Sequence, residues 1–370
     1  MKKIRTFIID DSAVVREAVR KILTADPAIE VIGVATDPIF AMEKMVRDWP
    51  DVIVLDIEMP RMDGLTFLRK IMAERPTPVV ICSTLSQKGA EETFQALTLG
   101  AVACIGKPKD IRNHFVEDAA GDLLTQVKVA AQARLRARQS PPPATPRVAG
   151  PATPARAEAP AQPTRVAEGS LAPVVPVRKH SGAGTRMVVA IGASTGGTQA
   201  LEYVLRELPI TVPGIVVVQH MPEHFTAAFA KRLDRICEVE VLEAASGMDV
   251  VSGRVIIAQG GRQLAVRKEG SRYFVEVLDG PFVNRHRPSV DFMFRSVANA
   301  AGAAAFGVIM TGMGNDGAAG MLRMRQAGAH TVGQNEDTCV VYGMPKEAMK
   351  LGAVEREVPL DVIPREISSL

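Results

Sequence analysis

Val188-Val189-Ala190-Ile191-Gly192-Ala193-Ser194-Thr195-Gly196-Gly197 is an apolar run that breaks off at a serine set between glycines. Apolar residues in unbroken succession read as a strand buried on both faces, and the segment around Thr198–Glu207 then takes up a helical period. A strand that turns through glycine into a helix is the repeating unit of an α/β layer. Further along, Met187–Ile191 is followed by three more runs of the same kind, Ile215–Val218, Val255–Ala258 and Phe306–Met310. Between them Leu264–Arg267 and Tyr273–Val277 flank Gly270-Ser271 as a hairpin. Residues 186–370 are therefore expected to form a doubly wound α/β domain with an antiparallel hairpin.

The N-terminal part follows the same pattern. Thr6–Ile9, Val31–Val34, Val52–Leu55, Val79–Ile81 and Val102–Ile105 alternate with helical segments, one carrying Val14, Val15, Ala18, Val19, Ile22 and Leu23 on a single face. Residues 1–138 thus form a second parallel α/β domain, whose last helix is expected to run from Arg112 to about Arg138. The division into 1–138, 139–185 and 186–370 rests on composition. Ten of the 25 prolines fall between Pro141 and Pro176, and so little apolar surface there cannot offset the entropy of ordering. That stretch is read as a basic linker rich in Pro and Ala. Its five basic residues and two acids account for the net charge of +3 of all 370 residues. The charge is no argument for a nucleic-acid binder, which carries its basic footprint on a folded face. Four scattered cysteines without a CxxC pair suit a reducing compartment. No apolar run suits a signal peptide or a membrane span, so a cytoplasmic location without membrane insertion is expected.

In a doubly wound sheet the functional groups gather at the carboxyl ends of the strands. In the first domain those ends carry Asp10-Asp11, Asp56, Ser83-Thr84 and Lys107-Pro108. One acid at such a place is more often a helix cap, but here several groups of complementary chemistry share one edge. Three carboxylates so close repel unless a divalent cation lies among them, and a set without His or Cys suits Mg²⁺. IIDDS at Ile8–Ser12, VLDIEMPRMDG at Val54–Gly64 and KP at Lys107-Pro108 resemble the response-regulator receiver family. The resemblance implies a flavodoxin-like fold, phosphorylation at Asp56, Mg²⁺ held by Asp10, Asp11 and Asp56, and a phosphoryl switch through Ser83 and Lys107. It departs at Cys104, where the family often has an aromatic residue.

In the second domain the edge carries Ser194, then His220 after the second strand, then Asp316 in the Gly-rich loop Thr311–Gly317. Nucleophile, base and orienting acid are thus available from three strand ends. The backbone N–H groups from Thr195 through Gly196 to Gly197, at a helix start, are placed to hold an oxyanion. A capping serine or a phosphate-cradling loop is the plainer alternative. Three rival readings stand beside it. Ser194–Asp316–His330 follows the α/β-hydrolase order, although His330 begins a strand. His220-Met221-Pro222-Glu223-His224 spells H-x-x-E-H, but Pro222 keeps His220 off the helix that this zinc motif needs. Asn284-Arg285-His286-Arg287-Pro288-Ser289 is either a site for a phosphate or acidic partner, or a solvated basic loop.

GASTGG at Gly192–Gly197, QHMP at Gln219–Pro222, NRHRPSVD at Asn284–Asp291, TGMGNDGAAGM at Thr311–Met321 and QNEDTCVVYGMP at Gln334–Pro345 resemble the chemotaxis protein-glutamate methylesterase family, CheB. The resemblance implies a phosphorylation-controlled serine hydrolase acting on glutamate γ-methyl esters of methyl-accepting chemoreceptors, and often on receptor glutamines. It implies catalysis by Ser194, His220 and Asp316 without a cofactor for hydrolysis, with Thr195 and Met313 lining the site. A histidine kinase of the chemotaxis system is the implied phosphodonor. The competing class is a response regulator whose second domain is a non-catalytic interaction module. A DNA-binding output lacks a helix-turn-helix pattern and a basic folded face.

Overall fold

A computed structural model of the chain describes residues 2–83, 87–107, 116–133 and 184–370. The N-terminal strands β1 (Ile4–Ile9), β2 (Ile29–Ala35), β3 (Val52–Leu55), β4 (Val79–Ser83) and β5 (Ala103–Gly106) form a parallel sheet in the order β2-β1-β3-β4-β5. This is the flavodoxin-like order, with its switch point between β1 and β3. Among the described residues the helices of this unit are α1 (Ala13–Thr24), α2 (Pro38–Met45), α3 (Gly64–Glu74), α4 (Gln87–Leu99) and α5 (Val116–Ala130). Local chemistry sets several of their starts. The Ser12 hydroxyl accepts from Val15 N–H at 3.4 Å, and Asp37 accepts from Ile39 and Phe40 N–H while Pro38 fills the first turn. The last helix ends before the expected Arg138, while its expected start at Arg112 lies outside the described residues. After Ala130 the bonds tighten, Gln132 N–H reaching Val129 O and Ala133 N–H reaching Ala130 O, and the helix ends in a turn. Most of the expected linker lies outside the described residues.

The second sheet has seven parallel strands: β6 (Val188–Ala193), β7 (Gly214–Gln219), β8 (Glu240–Glu243), β9 (Arg254–Ile257), β12 (Ala305–Ile309), β13 (His330–Gln334) and β14 (Arg356–Val358). Their order is β14-β13-β12-β6-β7-β9-β8. The hairpin pairs β10 (Gln263–Glu269) with β11 (Arg272–Leu278) as a separate two-stranded sheet. Helices α6 (Gly197–Arg206), α7 (Glu223–Ile236), α8 (Val290–Ala301), α9 (Ala318–Gln326), α10 (Met344–Lys350) and α11 (Ile363–Ser368) complete the layers. Every residue of β6, β7 and β12 is buried, which is why they read as unbroken apolar runs. The short strands β8 and β14 were not expected. They stand at the two edges and carry Glu240, Glu243, Arg356 and Glu357, the charged composition that keeps sheet edges from pairing further.

The two α/β units meet through α4. Phe94 stacks on Phe229 of α7, with centroids 5.5 Å apart and planes at 14°, and meets Phe225 edge-on at 6.0 Å. The Gln199 amide of α6 donates to the Leu97 carbonyl. Val340, in the loop after β13, packs against an apolar cluster of the first unit that includes Val54, Val80 and Ile105.

Candidate active site

The seven-stranded sheet changes direction at β6, with β7 on one side and β12 on the other, and the carboxyl end of such a point is where a crevice opens. Ser194 leaves β6 there. Its N–H donates to Thr311 O at 3.0 Å, and its carbonyl accepts from Gly197 N–H at 2.7 Å and from the Gln219 amide at 2.9 Å. That same amide donates to His220 O at 3.1 Å. Gly196 turns the chain with φ +76° into α6. A Cβ on Gly197 would run into the Gln219 side chain, and one on Gly312 would lie 2.7 Å from Ser194 Cβ. The serine backbone is therefore fixed from both neighbouring strands. Because Gly197 N–H is committed to the Ser194 carbonyl in this tight turn, it is not free for an oxyanion. The amides of Thr195 and Gly196 remain.

His220 follows β7, and its Nε2 meets Asp316 Oδ2 at 2.8 Å. Its Nδ1 is buried without a hydrogen-bond partner among the described residues. Asp316 is 1% exposed and heavily solvated by protein. Oδ1 accepts from Ser289 Oγ at 2.7 Å and Asn284 Nδ2 at 2.9 Å, and Oδ2 also accepts from Val290 N–H at 2.7 Å. Val290 opens α8, so the positive end of that helix faces the carboxylate. Burial works to raise the Asp316 carboxyl, but His220, Asn284 and Ser289 outweigh it and hold the group well below the usual carboxylate range. His286 lies flat on the His220 ring at 3.7 Å. Burial and the neighbouring His220 push its own imidazole down to about 4, so His286 stays neutral.

The first unit gathers its acids at its own switch point. Asp10 and Asp56 are buried, Asp11 is exposed, and one oxygen of each lies within 4.8 Å of the others. Lys107 Nζ lies 2.7 Å from Asp56 Oδ2 and 3.2 Å from Asp10 Oδ2. Burial, only partly opposed by Lys107, raises the Asp56 carboxyl to about 6. Three oxygen donors with two carboxylates under-neutralised by one ammonium fit a hard divalent cation. Ser83 ends β4 at 2% exposure.

A CheB methylesterase family model matches residues 189–367, and a response regulator receiver domain model matches residues 6–115. A protein-glutamate methylesterase/protein-glutamine glutaminase 2 of Hahella chejuensis is 56% identical over 364 residues, covering 98% of this chain and 95% of its own. The chain belongs to the CheB methylesterase family. A second relative of the same name, from Albidiferax ferrireducens, is 56% identical over 97% of this chain and 98% of its own. The crystal structure of the Thermotoga maritima CheB methylesterase catalytic domain is 36% identical, covering 50% of this chain and 98% of that one, with a TM-score of 0.49.

Within the CheB methylesterase domain, His330 is separated from the serine. It begins β13, opposite Phe306 and four residues below the carboxyl edge, and its Nδ1 meets Glu355 at 3.0 Å. The H-x-x-E-H run is broken as expected: α7 starts at Glu223 with Pro222 as its cap, leaving His220 outside the helix. The Asn284–Ser289 loop is not simply a solvated basic loop: Arg285 is exposed, but Pro288 and Ser289 are buried. Its Asn284, His286 and Ser289 all turn onto the His220–Asp316 pair. Met313 is 38% exposed, and Thr195 is buried, its carbonyl accepting from Thr311 Oγ1 at 2.9 Å. Sequence reasoning missed Gln219, Asn284, His286 and Ser289 as supports. The signal for the last three was the polar run ending at the capping Ser289, immediately before the buried α8.

Proposed function

We propose that this CheB-family chain is a phosphorylation-controlled protein-glutamate methylesterase, cleaving glutamate γ-methyl esters of methyl-accepting chemoreceptors and deamidating receptor glutamines. The observation that carries the reading is the His220–Asp316 pair at the strand end beside Ser194, with the second ring nitrogen unpartnered. Asp316 holds the Nε2–H tautomer, which leaves the Nδ1 lone pair to take the serine proton. The two nitrogens thus exchange the roles they have in the familiar serine-protease arrangement. Ser194 Oγ attacks the ester carbonyl, and the Thr195 and Gly196 amides hold the oxyanion. His220 then returns the proton to the departing methanol. Water, deprotonated by His220, cleaves the acyl-enzyme to give the glutamate carboxylate and free serine. With a glutamine the leaving group is ammonia. Thr195 and Met313 border the substrate.

Residues 1–138 act as the receiver, 139–185 as the connection and 186–370 as the hydrolase. Asp56 accepts the phosphoryl group from the histidine kinase of the chemotaxis system, Ser83 and Lys107 respond to it, and Asp10, Asp11 and Asp56 hold Mg²⁺. The cation, when bound, neutralises charge on the phosphoryl group and its acceptor. Val340 supports a direct route of control: it packs on the first unit and also against Gly196, one turn from Ser194. Phosphorylation shifts the population away from this closed contact by the difference in affinity between the two receiver states. The protein acts in the cytoplasm on the cytoplasmic part of its receptors, and among the described residues no helix is long and apolar enough to cross a membrane.

Methanol release from methylated receptor membranes, with and without acetyl phosphate and Mg²⁺, tests the reading. Ser194→Ala should lower release by at least about a thousandfold, and Asp56→Asn should abolish the stimulation. Release unaffected by Ser194→Ala would overturn the mechanism. No release from wild type would favour a non-catalytic interaction module.

A further inference from the structure

Val283 and His286 exchange both backbone hydrogen bonds, at 3.1 and 2.9 Å, across the two-residue turn Asn284-Arg285. Both turn residues have positive φ, 51° and 67°. Such a turn favours asparagine or glycine, since other side chains crowd their own carbonyl there. Asn284 does more than satisfy the backbone. The residue lies at the surface, yet its amide nitrogen points inward and donates to Asp316 Oδ1 at 2.9 Å and Asp291 Oδ2 at 2.6 Å. One hydrogen serves each carboxylate. Asp291, on the first turn of α8, is 5% exposed, and its other oxygen accepts from Gly320 N–H at 2.5 Å. Its N–H donates to Asp316 Oδ1 at 3.3 Å, and its side chain places a second buried carboxylate behind Asp316, where like charges compete for a proton.

We propose that Asn284 is a positioning residue for the hydrolytic reaction: its amide bridges the Asp316 and Asp291 carboxylates and keeps Asp316 ionised and aimed at His220. The inference rests on the serine-hydrolase reading above. The charged and titratable groups around the bridge are His220 beyond β7, His286 of the same loop, and Asp291 and Arg295 of α8. Burial raises the Asp291 carboxyl despite its bonds to Gly320 and Asn284, so the pair of acids is already under tension. Without the shared donor, both carboxylates hold a proton more readily. The His220–Asp316 unit then takes up its proton at a higher pH, and the acid limb of the rate profile moves upward.

Two variants of the full chain test this. Asn284→Gly keeps the left-handed turn and deletes the amide. Asn284→Asp also tolerates that turn and keeps the shape, but replaces the donor with a third carboxylate. Methanol release would be followed from about pH 5 to 9, beside a nitrogen NMR titration of the His220 ring. Asn284→Gly should lower kcat roughly tenfold and shift the acid limb up by about half a pH unit or more, as loss of an outer supporting bond does elsewhere. Asn284→Asp should shift it further. A side chain that only stabilised the loop would lower the melting temperature and leave the limb in place. If the glycine variant does not fold, the aspartate variant carries the comparison. Folded variants with an unmoved limb and ring titration overturn the proposal. Wild-type release that did not require Ser194 would instead overturn the hydrolase reading while leaving the ring titration to judge the bridge.

Discussion

Gly312 has no side chain and still governs the chemistry of its neighbour. The position where its Cβ would stand is 2.7 Å from Ser194 Cβ and 3.1 Å from Ser194 N, and Met344 closes the other side. Gly312→Ala must therefore push the serine turn outward, since Met344 is fully buried and has nowhere to retreat. A displacement of about 1 Å costs roughly a hundredfold in rate. The expected outcome is a folded protein with normal receiver phosphorylation and about a hundredfold lower kcat for methanol release, checked by steady-state kinetics beside a thermal melt. Asp316 shows the opposite economy. Its carboxylate collects donors from a loop, a hydroxyl and a helix start, so no one of them need be strong.

At the level of elements, α4 is the part to perturb. Phe94 is 4% exposed because it inserts between Phe225 and Phe229 of α7. Phe94→Ala removes that stack at a cost of about 3 kcal/mol and weakens the contact between the two units. Methanol release without phosphoryl donor should rise several-fold and the stimulation by acetyl phosphate should shrink; unchanged basal release would mean that α4 does not hold the closed form. The elements themselves were legible to different degrees, for physical reasons. Strands buried on both faces, such as β6 and β7, betray themselves as continuous apolar runs. β8 and β14 do not, because at a sheet edge short length and charge are favoured over hydrophobicity. The serine, histidine and aspartate were readable because strand ends place them. The loop carrying Asn284, His286 and Ser289 was not, since only tertiary folding turns its polar side chains inward.

For the whole molecule, the buried Asp56 ties stability to pH. Its carboxyl is raised from 3.8 to about 6 when folded. Between those values the folded chain keeps a proton that the unfolded chain has lost, so stability falls as pH rises through the window and the loss is complete above it, at most about 3 kcal/mol. Asp56→Asn should therefore stabilise the metal-free protein by about 1–3 kcal/mol near neutral pH and hardly at all near pH 4. Mg²⁺ should raise the melting temperature of wild type and leave the variant unmoved. Denaturant melts at both pH values check it, and equal gains at both would refute the assignment. The two sites are thus set by unlike means, one by charge held under stress and the other by backbone contact. In the second, one amide group, that of Gln219, hangs the carbonyls of Ser194 and His220 from a common support. Attacking group and base consequently ride together when the rim of the crevice moves. Loops that touch neither this support nor Asp316 can then diverge in what they admit while the same bond is still cut in the same way.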